Sequence, residues 1–422
     1  MKAKNKKAGG NALFAVILLL FPLLFLGCTQ ERQARDDRTV LHLWTWHTEH
    51  IDAYKELFGI FEYENPDIRI IHTTHPCAAY DAALLAALNA GDGPDIFQSR
   101  AYGKLKALAR AGHIQALENH VPYLADFPQM TLRAITYGGG IYGVPFATET
   151  LLVFYNRDIY QKLGLDVPAS WEQFLANCEV IRRAGITPIS NGGADAWTLE
   201  IMMGTFSPNF YGANHFFRRV TKGETDFTDP AFTAAIGRLN YLRPHMPDRF
   251  MGIGHNDALS LFYNETAAHF VGRSSEARFF KSQNPSLNFG IFAPPALTAG
   301  GQNYVSIYTY GVFGMNSASA NKEAAARFLN FLAGKTAGEF FMDTLKQVSP
   351  VPGVDVLHRP LIAQIISMQE HSTPFIFLAG FSYGEPTGSR LAQAALQGMF
   401  AGQLNSAQVS QQIQEGLATQ KK

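Results

Sequence analysis

Between residues 40 and 97 the chain alternates between two hydrophobic periods, and that alternation limits the available folds more than any other feature. Val40 to Trp46 (VLHLWTW) is β-branched and aromatic and is bounded by polar residues, so it reads as a strand. Ile51 to Glu64 carries Tyr54, Leu57, Phe58 and Phe61 at helical spacing, and Asn65-Pro66 stops that helix. Ile68 to Thr73 is a second strand and Ala78 to Ala90 a second helix. Gly91-Asp92-Gly93-Pro94 then breaks the chain before a short third strand at Asp95 to Phe97. Strands joined through helices of this length predict right-handed βαβ units and a parallel sheet. Ligands of such sheets lie beyond the carboxyl ends of the strands, where Trp46–Glu49, Thr73–His75 and Gln98–Ser99 fall.

A second region opens at the turn-rich ribbon Gly138 to Phe146, followed by an apolar strand at Leu151 to Asn156. Helices are expected at Trp171 to Ala184, with Ser170 as N-cap, and at Asp229 to Leu242. Ala267 to Val271 and Tyr304 to Met315 read as strands, Lys322 to Leu332 as a long helix, and Ser389 to Gln414 as helical. There is no internal repeat.

The start of the chain fixes where it works. Lys2, Lys4, Lys6 and Lys7 precede an apolar run, Ala12 to Leu26, that is too short to span a bilayer and has the form of an export signal. Leu24-Phe25-Leu26-Gly27-Cys28 resembles the lipobox of bacterial lipoproteins, with Phe25 where leucine is usual. That resemblance implies acylation of Cys28, removal of residues 1–27, and a polar tether over residues 28–39. The full chain has zero formal charge, and the leader carries four lysines and no acid; zero minus four puts the mature chain near −4. Nucleic acid is therefore not an expected partner. Cys77 and Cys178, the other two cysteines, do not form a disulfide framework and are expected as unpaired thiols.

Read in order, VLHLWTW, the helix ending NPDI, AAYDAALLAALNAGDGPDIF, YGVPFATETLLVFYNRDIYQKLGLDVPASWEQF and YGVFGMNSASANKEAAARFLNFLAG resemble the extracellular solute-binding proteins of carbohydrate ABC transporters. The resemblance covers residues 40–335. It implies an α/β, two-lobed periplasmic-binding-protein fold, each lobe a mainly parallel sheet flanked by helices, with a hinge between. Residues 40–148 plus 309–352 would form one lobe and 149–308 plus 353–422 the other, with Ala147 to Leu151 and Ile307 to Val312 as crossings. It further implies a monomeric, non-catalytic, lipid-anchored receptor that works outside the cytoplasm, needs no cofactor, and hands a carbohydrate to permease subunits.

A sugar presents hydroxyl rims and apolar C–H faces, so its cleft needs aromatic rings together with carboxylates or amides. Trp46 and Trp197 are the candidate platforms, Trp197 lying in the glycine-rich stretch Asn191 to Trp197; Trp171 reads as structural. Glu49, Asp95, Gln98 and Glu149 are candidate hydroxyl partners, although Asp95 in Gly-Pro-Asp is equally a turn cap. Arg273 ends a strand where relatives contact ligand; it either holds an anionic group or pairs with Glu276 or Glu149. His47, Tyr310 and Phe381 complete the set, with Tyr308 and Tyr383 as further aromatics. His42, His47, His50, His72 and His75 cluster in sequence, but without the spacing of a tetrahedral metal set, so no metal is assigned. Three alternatives stay open: a different cargo (a sugar acid, a polyol phosphate or a metal ion), an extracytoplasmic glycoside hydrolase using two carboxylates, and a sensor or adhesive lipoprotein.

Overall fold

In the computed structural model, which describes residues 37–420, the N-terminal alternation folds as its periods require. The leader, the Cys28 anchor and most of the tether lie outside the described residues. Thr39–Thr45 (β1) buries Leu41, Leu43 and Thr45 on one face. The helix Ile51–Glu64 turns Tyr54, Leu57, Phe58 and Phe61 onto the sheet; at ~1.5–3 kcal/mol for each buried side chain, this stripe alone contributes roughly 6–12 kcal/mol before entropy is charged against it. Ile68–Thr74 (β2) follows, and then the helix Cys77–Ala90, which ends on Gly91 with φ +80°. Ile96–Arg100 (β3) pairs in parallel with one edge of β1, and β2 pairs in parallel with the other.

Thr136–Tyr137 (β4) and Gly140–Ile141 (β5) form a small hairpin that leads into Val144–Asn156 (β6). Thr187–Ile189 (β7), Ala267–Arg273 (β8), Phe289–Phe292 (β9), Val305–Met315 (β10) and Ser372–Pro374 (β11) complete the strands of the described residues. Their order is β2-β1-β3-β10-β6-β8-β7, with β9 also on β6 and β11 on β10. β1–β3 join the carboxyl half of β10, and β7–β9 gather on the carboxyl half of β6. The sheets are mixed rather than mainly parallel. β6 and β10 traverse the sheet in opposite directions, so each of the contacts β3–β10, β10–β6 and β6–β8 is antiparallel, whereas strands linked through helices stay parallel.

β6 is buried along almost its whole length because it pairs with β10 over its first half and with β8 and β9 over its second. The ladder between β6 and β10 is irregular at its centre. Tyr308 faces Glu149 and Thr309 faces Thr148, but Gly311 faces Ala147 and Val312 faces Pro145. Tyr310 on one strand and Phe146 on the other are thus squeezed out of register, and a bulge of this kind re-aims the extra side chain. Gly311 is needed there: a Cβ would stand 2.8 Å from the Phe146 ring and 3.0 Å from Trp46.

Ser170 caps the helix Trp171–Arg183 by accepting the Gln173 N–H at 3.2 Å. The expected 229–242 helix runs from Pro230 to Arg238 and tightens into a 3-10 turn at Leu239–His245. The expected 389–414 helix is two helices, Gly388–Phe400 and Ser406–Ala418, divided at Gly402 (φ +81°) and restarted by an Asn405–Gln408 capping box. Cys77 is exposed and Cys178 buried, both as free thiols.

Candidate functional site

Where β6 and β10 cross, the ends of β1 and β8 converge on a cavity of about 350 Å³. A 3-10 turn at Thr48–His50 follows β1 and stacks the imidazoles of His47 and His50 at 4.6 Å between centroids. Both line the cavity, and the bulged Tyr310 stands beside them with its ring 5.6 Å from His47. Burial raises the Tyr310 hydroxyl pKa, and the nearby Arg273 charge partly opposes this.

Glu149, 2% exposed, is the carboxylate of the cavity wall. Its Oε2 accepts from the Ser274 hydroxyl at 3.0 Å and the Ser275 N–H at 3.1 Å, so the turn after β8 fixes its orientation. Arg273, the last residue of β8, is tied to Glu276. Its Nε and Nη2 each reach Glu276 Oε1 at 2.9 Å, and its main-chain N–H donates to Oε2. Desolvation raises the Glu276 pKa while the guanidinium opposes the shift, and Arg273 stays protonated. Behind this pair, the Trp197 ring lies 5.2 Å from the Arg273 guanidinium and 4.6 Å from His255. Burial, helped by the Arg273 charge, holds His255 down at about 4, so its 3.7 Å approach to Glu276 is not an ion pair near neutrality.

The helix Glu276–Gln283 adds Arg278, Phe279 and Ser282, one turn of the helix, to the lining. Leu345 and Gln347 close the remaining side, held by the bridge in which Thr148 donates to the Val348 carbonyl at 2.8 Å. Gln347 is 6% exposed and its Oε1 has no hydrogen-bond partner among the described residues. A buried amide oxygen left this way costs free energy unless a ligand or water reaches it.

Of the residues expected from the sequence, His47, Glu149, Arg273 and Tyr310 meet at this cavity. Trp46 stands behind it instead, 2% exposed and packed edge-on against Tyr310 and Tyr80, with Arg100 over its ring at 5.2 Å. Gln98 is wholly buried: its Oε1 accepts the Trp46 N–H and its Nε2 donates to the Tyr54 hydroxyl at 2.7 Å. Asp95 precedes β3 and so sits at the amino end of the sheet, accepting from His42 N, Ser319 and Asn321 as a turn anchor. Phe381 belongs to a phenylalanine cluster with Phe227 and Phe377. Trp197 opens the helix Ala196–Phe206 rather than lying in a loop, and supports Arg273 from behind. The Glu49 side chain lies outside what is described.

Of the remaining members of the histidine cluster, His42 is exposed, while His72 and His75 have structural surroundings. His72 is held at about 4 by burial and hydrogen bonds to Thr45 at 2.8 Å, and His75 packs on Trp44. Among the described residues no three His, Cys, Asp or Glu side chains are grouped as a metal site. Sequence reasoning did not single out Arg278, Phe279, Ser282 or Gln347. The first three carried one signal, a helix starting directly after the Arg273 strand end; Gln347 carried none.

Residues 45–339 match the bacterial extracellular solute-binding protein family. A multiple sugar-binding protein of Streptococcus mutans is 23% identical over 347 residues, covering 80% of this chain and 82% of that one. Among solved structures, a chitin oligosaccharide binding protein superposes with a TM-score of 0.76 at 21% identity, covering 90% of this chain and 98% of the other. The solute-binding protein RafE in complex with raffinose gives 0.74 at 20% identity, covering 89% and 98%. The chain belongs to the bacterial extracellular solute-binding protein family.

Proposed function

We propose that the chain is a lipid-anchored, extracytoplasmic receptor that captures a carbohydrate in the cavity at the β6–β10 crossing and delivers it to an ABC permease without turning it over. The carrying observation is Glu149. It is a buried carboxylate oriented through one oxygen by Ser274 and Ser275, in a cavity also lined by Gln347, Tyr310 and Phe279. Acceptors for hydroxyls beside aromatic surface are what a sugar requires. A volume of about 350 Å³ is at the small end of ligand pockets, which favours a mono- or disaccharide over a long chain.

The lobe boundary is proposed at Thr148/Glu149 on β6 and Tyr308/Thr309 on β10. Glu149 pairs with Tyr308 and Thr148 with Thr309, so both crossings fall on one level of the ladder. With that boundary His47, His50, Tyr310 and Gln347 come from one lobe and Glu149, Arg273, Arg278 and Phe279 from the other. A ligand touching both sets gains contacts only when the lobes are closed, and so shifts the population toward closure. Cys28 would carry the anchor, and the short tether after it would keep a monomeric receptor at high effective concentration near the permease.

A thermal-shift screen over saccharides, followed by calorimetric titration of hits, tests this. At a ligand concentration of 100 Kd, binding stabilises by ~2.7 kcal/mol. Silence across mono- and oligosaccharides, or release of hydrolysed product, would defeat the receptor reading.

A further inference from the structure

We propose that the cargo carries an acidic group and that Arg278 selects it; this deepens the carbohydrate reading and rests on it. The two arginines of the cavity differ in their commitments. Arg273 spends its charge on Glu276 through two side-chain bonds and one main-chain bond, with Trp197 packed behind. Arg278 is half-buried at the cavity wall, yet among the described residues it has no ion pair, hydrogen bond from its side chain, or ring partner. A guanidinium at a cavity wall with no protein counter-charge is free to receive a carboxylate, sulfate or phosphate of a ligand through charge-assisted, bidentate bonds.

The acceptors divide the ligand the same way. Glu149 has committed Oε2 to Ser274 and Ser275, which leaves Oε1 for a ligand hydroxyl. Gln347 Oε1, buried and without a partner, is a second acceptor. Neither can receive an anion. A neutral sugar satisfies both acceptors and leaves Arg278 to water, whereas an acidic sugar satisfies all three groups. Phe279 follows Arg278 on the same helix, so the anion end of the ligand has a ring at hand; the Ser282 hydroxyl one turn on is already committed to the Phe279 carbonyl at 2.8 Å.

The test is calorimetric titration of the chain with glucuronate and galacturonate against glucose and galactose, and with the 6-sulfate and 6-phosphate of each neutral sugar. At least one anionic form is expected to bind about 10- to 100-fold more tightly than its neutral parent, with the gap shrinking as salt rises. Arg278→Gln is expected to close the gap, and Arg278→Lys to keep part of it. Which anionic form gains most identifies the acid as carboxylate, sulfate or phosphate. Equal affinity for neutral and anionic forms, or a gap that survives in Arg278→Gln, overturns the acidic-cargo inference while leaving the receptor reading standing. Failure of every saccharide, charged or neutral, removes the receptor reading itself.

Discussion

Replacing Glu276 with Gln tests whether the Arg273–Glu276 pair is buried machinery or a surface ornament. Glu276 is 4% exposed and accepts three bonds from Arg273, two from the guanidinium and one from the main chain. The substitution keeps the shape but leaves the guanidinium against a neutral amide in a largely desolvated place. Removing one partner of a buried pair costs ~3–5 kcal/mol, whereas an exposed pair is worth ~0–1 kcal/mol. With an unfolding entropy of ~2.1 cal/mol/K per residue, about 380 ordered residues give ~0.8 kcal/mol/K, so the buried case lowers Tm by roughly 4–6 °C. Scanning calorimetry at neutral pH reads this directly. Adding Arg273→Gln to the variant should recover part of the loss, because the stranded charge is gone. A shift of about 1 °C or less for Glu276→Gln, or a double variant no better than the single, would refute the assignment.

Three further outcomes follow from other parts of the fold. Glu200, buried in the helix Ala196–Phe206 and accepting from Gln393 at 2.7 Å, is pushed up to about 7 chiefly by desolvation. Its folded pKa lies above its unfolded value near 4.5, so its contribution is full below ~4.5 and lost as pH rises through ~7; Glu200→Gln should gain about 3 kcal/mol over wild type at pH 8 and little at pH 4, measured by urea unfolding. His269 is held at about 4 by burial, with Nδ1 at the Pro188 carbonyl (2.7 Å) and Nε2 at the Tyr160 hydroxyl (2.6 Å). The unfolded chain therefore takes up its proton first, and stability should fall as pH drops from ~6.5 toward 4, a slope that His269→Asn should flatten in the same assay. Gly103→Ala would put a Cβ 1.9 Å from the Ser382 carbonyl oxygen, so this contact must open; overpacking of about 1–3 kcal/mol corresponds to a Tm lower by roughly 1–4 °C, and an unchanged melt would contradict the contact.

The sequence was most legible where period and punctuation agreed. The helices Ile51–Glu64 and Lys322–Leu332 have the ends expected of them, since apolar spacing and the flanking breakers both mark them. β6 was read short because Gly143 and Pro145 look like a ribbon; in the structure Pro145 sits at the bulge opposite Val312, where the loss of one donor is tolerated. The Gly402 break in the C-terminal helices was visible as a glycine but was overridden by the surrounding alanine and glutamine.

For the site, strand ends were informative and residue type was not. His47 and Arg273 reach the cavity because they end or follow strands, and Glu149 and Tyr310 because they lie on the long strands that cross there. Trp46 and Trp197 have the chemistry of a sugar platform, yet nothing local in the sequence distinguishes a tryptophan that faces a ligand from one that packs behind a cavity-lining residue, as these two do against Tyr310 and Arg273. Asp95 was misplaced because β3 begins after it and runs on to Arg100, which puts Asp95 at the far end of the sheet from the cavity. Gln347 reaches the cavity only through the tertiary bridge at Thr148 and Val348, which no sequence window contains.

The central claim is that the cavity at the β6–β10 crossing holds a saccharide through Glu149. Calorimetric titration of wild type and Glu149→Gln with the tightest saccharide from the screen measures it most directly. Loss of a charged acceptor costs ~1.5–3 kcal/mol, so the account predicts binding weakened about 10- to 150-fold with the variant still folded. Undiminished affinity in Glu149→Gln would contradict it.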